Sequence, residues 1–133
     1  DGDQVWRGIG GYNADKLRAY EGGNMMRLCR YRDAETILDD ALGRFDPSMS
    51  RHRATALIDI AEARFGLGDI DAACESAAQA LELVTQVQHT GNLDRIDAVA
   101  RRGVAAGSRA AKRLHAEVML ARVDHGLPLR QVA

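Results

Sequence analysis

The sequence predicts an all-α protein, a short stack of antiparallel helical hairpins with about six helices. Three observations carry that prediction. Two stretches repeat each other at an offset of 39 residues: Leu28, Tyr31, Ala34, Ala41 and Leu42 return as Leu67, Ile70, Ala73, Ala80 and Leu81. Self-similarity at such a period marks helical units stacked side by side, because each unit buries its apolar face only against a neighbour. Apolar residues elsewhere recur at helical spacing. Strand signals are nearly absent: aromatic residues make up 5% of the chain, and no window alternates with period two.

Residues 1–12 form an irregular leading segment, rich in glycine, with Trp6 and Ile9 as candidate anchors. A helical-repeat domain spans residues 13–125, and a tail covers 126–133. The first helix is expected from about Asn13, a good N-cap with Asp15 in the first turn, to Leu28. Cys29 and Arg30 make a tight turn, and a second helix runs from about Tyr31 to Phe45. Asp46-Pro47-Ser48-Met49-Ser50 breaks the pattern, since the residue before proline disfavours helix and Ser50 can cap the next helix. The third helix, about Arg51 to Leu67, carries Ala54, Leu57, Ile58, Ala61 and Phe65 at helical spacing. Gly68-Asp69 ends it, glycine supplying the positive φ that a helix end favours. Ile70 to about Val87 is the longest helix. His89-Thr90-Gly91-Asn92 reads as a turn, and the last two helices cover about Leu93 to Val104 and Ser108 to Val123.

The chain has 133 residues, enough for one core, and a net charge of −1, with no global pull toward nucleic acid or anionic membrane. Its charges are unevenly placed. Residues 1–94 hold 10 basic and 16 acidic side chains, whereas residues 95–133 hold 8 basic and 3 acidic. An acidic body with a basic end can guide a partner or stabilise a neighbouring subunit, and it is equally the pattern of solvated helix faces. Cys29 and Cys74 are too few for a disulfide framework and read as reduced, packed thiols of a cytoplasmic protein. No apolar run approaches the roughly 20 residues of a membrane span, and no secretory leader is evident. The opening at Asp1, not at a methionine, reads as a piece of something longer.

The pattern resembles the tetratricopeptide repeat, which sets a small residue midway in helix A, a large one three later, a turn, then alanines in helix B. The first unit supplies Gly22, Met25, Leu28, Tyr31, Ala34, Leu38 and Ala41, with Pro47 after helix B. The second supplies Ala61, Phe65, Leu67, Gly68, Ile70, Ala73, Ala77 and Ala80. A third, degenerate unit keeps Ala100, Gly107 and Ala111 and reads as a capping pair. The 39-residue period exceeds the usual 34 by the longer loop at Asp46–Ser50. Arg51-His-Arg-Ala-Thr-Ala-Leu-Ile-Asp-Ile-Ala-Glu-Ala, with Leu67-Gly-Asp-Ile-Asp-Ala-Ala-Cys-Glu-Ser-Ala, is similar to the C-terminal repeat region of actinobacterial helix-turn-helix transcriptional regulators of the Xre type. In such regulators a DNA-binding domain precedes the repeats, and the repeats bind a peptide, a small effector or a protein partner. The resemblance therefore implies the sensor or interaction region of a transcriptional regulator.

Within that arrangement helices A line a concave face. The repeat assigns to it Lys16, Ala19, Gly23, Met26 and Arg27 in the first unit and Thr55, Ile58, Glu62 and Phe65 in the second. Asp94, Asp97 and Arg101 are its counterparts in the third. Apolar anchors among mixed charges suit an extended peptide or a helix. Arg101, Arg102, Arg109, Lys112 and Arg113 form the densest basic patch, though without the aromatic interleaving of a single-strand binder. A homodimerising scaffold, or a nucleic-acid binder working through this basic third, are the alternatives to a ligand groove. His52, His89, His115 and His125 make no metal constellation, and no cofactor is expected. Asp39-Asp40 sits on a helix exterior, and Asp69 and Asp71 stand at a helix start where the dipole favours them. Gly8-Ile9-Gly10-Gly11 is preceded by no strand and is too short for a phosphate loop. The tail Gly126-Leu127-Pro128-Leu129-Arg130-Gln131-Val132-Ala133 is similar to the opening of a helix-turn-helix unit, a lookalike of a short motif. None of these features argues for an enzyme.

Overall fold

The computed structural model describes residues 14–87 and 90–126, which lie in six helices and the turns between them. These are α1 (Ala14–Arg27), α2 (Tyr31–Arg44), α3 (Ser50–Gly66), α4 (Ile70–Val87), α5 (Thr90–Ala105) and α6 (Arg109–Asp124). The Trp6 and Ile9 anchors, the Asn13 cap, the glycine run at 8–11, His89 and the tail from Leu127 lie outside the described residues.

Consecutive helices pair as hairpins α1–α2, α3–α4 and α5–α6, and the hairpins stack in chain order. The substantial contacts beyond sequence neighbours join α1 to α3, α3 to α5 and α4 to α6. That scheme puts α1, α3 and α5 in one layer and α2, α4 and α6 in the other, the architecture of a helical hairpin stack. No described helix is long and apolar enough to cross a membrane.

One turn closes all three hairpins. The amide N–H groups of Arg30, Asp69 and Ser108 donate to the carbonyls of Met25, Arg64 and Gly103 at 2.9–3.0 Å. Inside each of these bonds, Cys29, Gly68 and Gly107 donate to Met26, Phe65 and Val104. This paired bonding needs a left-handed residue after the helix. Cys29, Gly68 and Gly107 provide it at φ 60°, 83° and 85°. They stand 39 residues apart, so the period extends into the third unit where side-chain similarity has faded.

Two expectations are corrected. Ser50 is the first residue of α3, not its cap; Met49 precedes it and makes no side-chain bond to the helix. The polar turn is held instead by Asp46, whose carboxylate accepts from the Ser48 amide at 2.9 Å and its hydroxyl at 2.7 Å. Those two bonds keep the Asp46 carboxyl below the usual range. The turn expected through Asn92 is helical from Thr90, because Asn92 and Leu93 are buried and tertiary packing overrides a turn-like composition.

The core has two parts on either side of α3. Ala34, Leu38 and Ala41 of α2, with Phe45 just after it, pack with Ala56, Ile60 and Ala63 of α3. Ala54, Leu57, Ile58 and Ala61 of α3 face the second part, built with α4, α5 and α6. Every residue of α3 from Ala56 to Ala61 is buried, which is the condition of an interior helix. Fully burying a side chain such as Leu38, Ile58 or Ile60 contributes about 1.5–3 kcal/mol. Within the hairpins the helices approach closely at glycines: a Cβ on Gly22 would stand 2.5 Å from Leu38 Cγ, and one on Gly103 would stand 2.5 Å from Ala111 Cβ.

Candidate binding cleft

Helical spacing places Lys16, Ala19, Gly23, Met26 and Arg27 on one face of α1. His52, Thr55, Asp59 and Glu62 share a face of α3. Between them runs a cleft of about 490 Å³, also lined by Phe45 and by Arg95 of α5. Tyr20, Arg51 and Ala56 complete the lining.

The α3 wall is fixed by an ion-pair network. Arg95 Nη2 lies 2.6 Å from Asp59 Oδ1 and 3.0 Å from Glu62 Oε1, and Arg95 Nε is 3.2 Å from the same Glu62 oxygen. Asn92 Nδ2 adds a bond of 3.3 Å to Thr55 Oγ1. Burial alone would lower the Arg95 pKa. The hydrogen bonds and charges of Asp59 and Glu62 outweigh it, and the net shift is upward. The guanidinium is therefore a permanent cation spanning two carboxylates. Lys16, Arg27, Arg51 and Arg95 face Asp59 and Glu62, leaving an excess of positive charge.

His52 reports that excess. Its pKa is held below the ordinary imidazole range, first by desolvation, with the Phe45 ring centroid 6.0 Å away, then by the charges of Lys16 and Arg51. A base with a lower pKa folded than unfolded stabilises the fold above its unfolded pKa of about 6.5. That stabilisation is withdrawn as pH falls through the folded value. His52→Gln is accordingly expected to lose less thermal stability than wild type between about pH 7.5 and pH 5. Parallel melting curves across that range would contradict the placement of His52 in a positive field.

The residues expected on the concave face divide between several places. Lys16, Met26, Arg27, Thr55 and Glu62 line the cleft, with Ala19 and Gly23. Ile58 does not: it is fully buried in the second core cluster, because α3 is apolar on both sides. Phe65 lies beyond the cleft toward the C-terminal end of α3, where the Arg102 guanidinium sits 4.3 Å from its ring centroid. Asp94 and Asp97 turn toward α6 instead, and Arg101 pairs with Asp97 on its own helix. Asp94 pairs with Arg122 at 2.6 Å, and buried Asp97 lies within 4 Å of Arg101, His115 and Arg122. The physical reason is positional. The cleft forms between successive helices of one layer, and α5 is the last of them, so this face of α5 is covered by α6.

Of the basic patch, Arg102 is drawn onto Phe65, whereas Arg109, Lys112 and Arg113 are exposed on the first turns of α6. The acidic pairs are engaged locally: Asp40 with Arg18 at 2.7 Å, Asp39 with Arg64 at 3.8 Å, and Asp71 accepting from Ser108 at 3.0 Å. Burial, then Asp71, raises the Cys74 thiol pKa, with a Ser108 hydrogen bond opposing. Among the described residues no three His, Cys, Asp or Glu side chains converge to hold a metal ion. Asp59, Arg51, His52 and Arg95 belong to the cleft although the repeat pattern does not assign them to it. The one available signal in the sequence is Asp59 itself, a carboxylate inside Leu57-Ile58-Asp59-Ile60-Ala61, where a buried charge requires a partner. Compared with protein-family models, curated proteins and solved structures, the chain matches none of them.

Proposed function

We propose that this chain is a non-enzymatic binding module whose cleft between α1 and α3 takes a segment of a peptide or protein partner bearing carboxylates. The observation that carries this reading is the cleft's makeup: apolar Met26, Ala19, Ala56 and Phe45 among charged side chains of net positive sign. The α3 wall is pre-ordered by Arg95, so a ligand meets a surface that needs little rearrangement. Apolar side chains of the ligand would contact Met26, and its carboxylates would lie near Arg27 and Arg51. The resemblance to repeat regions of Xre-type regulators supports a place in a cytoplasmic transcriptional regulator, where occupancy of the cleft would shift α1 against α3.

The test is capture of a discrete ligand from an extract of the source cells, identified by mass spectrometry. Arg27→Glu with Arg51→Glu, both exposed positions, should cut retention about tenfold or more with an unchanged melting temperature. Phe65→Ala, outside the cleft, should retain the ligand. Capture that survives the double charge reversal removes the cleft from consideration.

A further inference from the structure

The outer face of α6 carries an apolar stripe of Ala116, Met119, Leu120 and Val123 at helical spacing. Leu120 is 63% exposed, Val123 59% and Met119 40%. Set back by one 39-residue period, these positions are Ala77, Ala80, Leu81 and Val84, all of them buried. Set back by two, they are Leu38, Ala41, Leu42 and Phe45, three of them buried and Leu42 packed against both core clusters. In the first two hairpins this face of the second helix takes a neighbour. In the third, α6 packs through Ala111, Leu114, Val118 and Ala121 on its opposite side and leaves the stripe uncovered. A terminal unit ordinarily needs a polar outer face.

The charges around the stripe form a second, separate observation. Arg109, Lys112 and Arg113 precede it on the same side of the helix, and Asp124 lies just beyond it. None of these four has an ion-pair partner among the described residues. Near Asp124 the groove between α4 and α6 also holds Glu82, while Glu75 and Glu117 stand beside Arg113. One helix thus offers a basic half, an apolar middle and an acidic end, a pattern complementary to itself when reversed.

We infer that a second copy of this chain covers this face. The two α6 helices pack antiparallel about a two-fold axis at the level of Val118. Leu120 and Met119 of each copy meet the stripe of the other, and Lys112 and Arg113 of each lie opposite Asp124 of the other. Such a contact is isologous, so every favourable pair occurs twice. A parallel arrangement would set Lys112 and Arg113 against their own counterparts and is disfavoured by like charge. The inference is independent of the cleft, which lies at the other end of the stack.

The test is the mass of the full 133-residue chain by sedimentation equilibrium across the micromolar range. Wild type is expected to dimerise, and Leu120→Asp to remain monomeric with a monomer-like melting curve. Lys112→Glu with Arg113→Glu, and separately Asp124→Lys, should each raise the dimer dissociation constant at least about tenfold. Mixing those two variants should restore a heterodimer, since both charge contacts are then attractive. A wild-type chain that stays monomeric, or variants that fail to rescue each other, overturns the assignment. Monomeric protein that captures a different partner on this face does so equally.

Discussion

Replacing Gly103 with leucine is expected to lower stability by about 3 kcal/mol or more, toward the upper range for overpacked sites. For a chain of this size that is a fall of about 10 °C in melting temperature, monitored by circular dichroism. The cost is high because the obstacle is not a side-chain tip that can swing away. A Cβ at Gly103 would stand 2.5 Å from Ala111 Cβ, with Cys74 Sγ 3.5 Å and Ile70 Cγ2 3.6 Å away. Ala111 Cβ is bonded directly to the backbone of α6, so only separation of α5 and α6 relieves the clash. Gly103→Ala should show a smaller version of the same loss. Adding Ala111→Gly should recover part of it, less the roughly 1 kcal/mol that glycine costs inside a helix. A Gly103→Leu protein that melts with wild type would mean that α5 and α6 do not cross here.

Asp97→Ala is expected to cost about 1–3 kcal/mol in urea denaturation, the range for removing one charged member of a buried network whose cation Arg122 keeps Asp94 at 2.6 Å. Asp97 is 2% exposed and Arg122 6%. Arg101 Nε, His115 Nδ1 and Arg122 Nη2 approach the carboxylate at 3.3, 3.4 and 3.7 Å. Among the described residues, none of them meets Asp97 Oδ1 with hydrogen-bond geometry. The carboxylate therefore acts through its charge, and Asp97→Asn, which keeps the shape, should lose most of what Asp97→Ala loses. Replacing the buried Arg122 as well, in Asp97→Ala with Arg122→Met, should recover part of the stability, because an apolar side chain avoids the desolvation of the guanidinium. A single Asp97→Ala cost below about 1 kcal/mol would show that solvent already screens this site.

The fold was legible in the sequence where local chemistry and packing agree. Gly68 and Gly107 mark hairpin turns because the bonding there needs a left-handed residue, and Cys29 could be placed by its spacing from them. The start of α5 was not legible. Thr90-Gly91-Asn92 has the composition of a turn, yet the Asn92 amide is committed to Thr55, 37 residues earlier. The cleft divides in the same way. Residues on α1 are placed by the 39-residue repeat, but α3 is buried from Ala56 to Ala61, so periodicity alone cannot say that Asp59 faces the cleft while Ile58 does not. Arg95 could not be found by any local rule, since its partners Asp59 and Glu62 lie 36 and 33 residues away.

The burial of α3 on both sides has a consequence for how the molecule comes apart. Repeat stacks ordinarily lose their units one at a time from the ends, since each touches only its neighbours. Here the two apolar clusters are joined by α3, apart from Leu42, which touches both. Without α3, the first hairpin would lose the helix it packs against, whereas α4, α5 and α6 still pack directly on one another. α3 is thus the segment whose loss detaches the first hairpin from the rest of the stack.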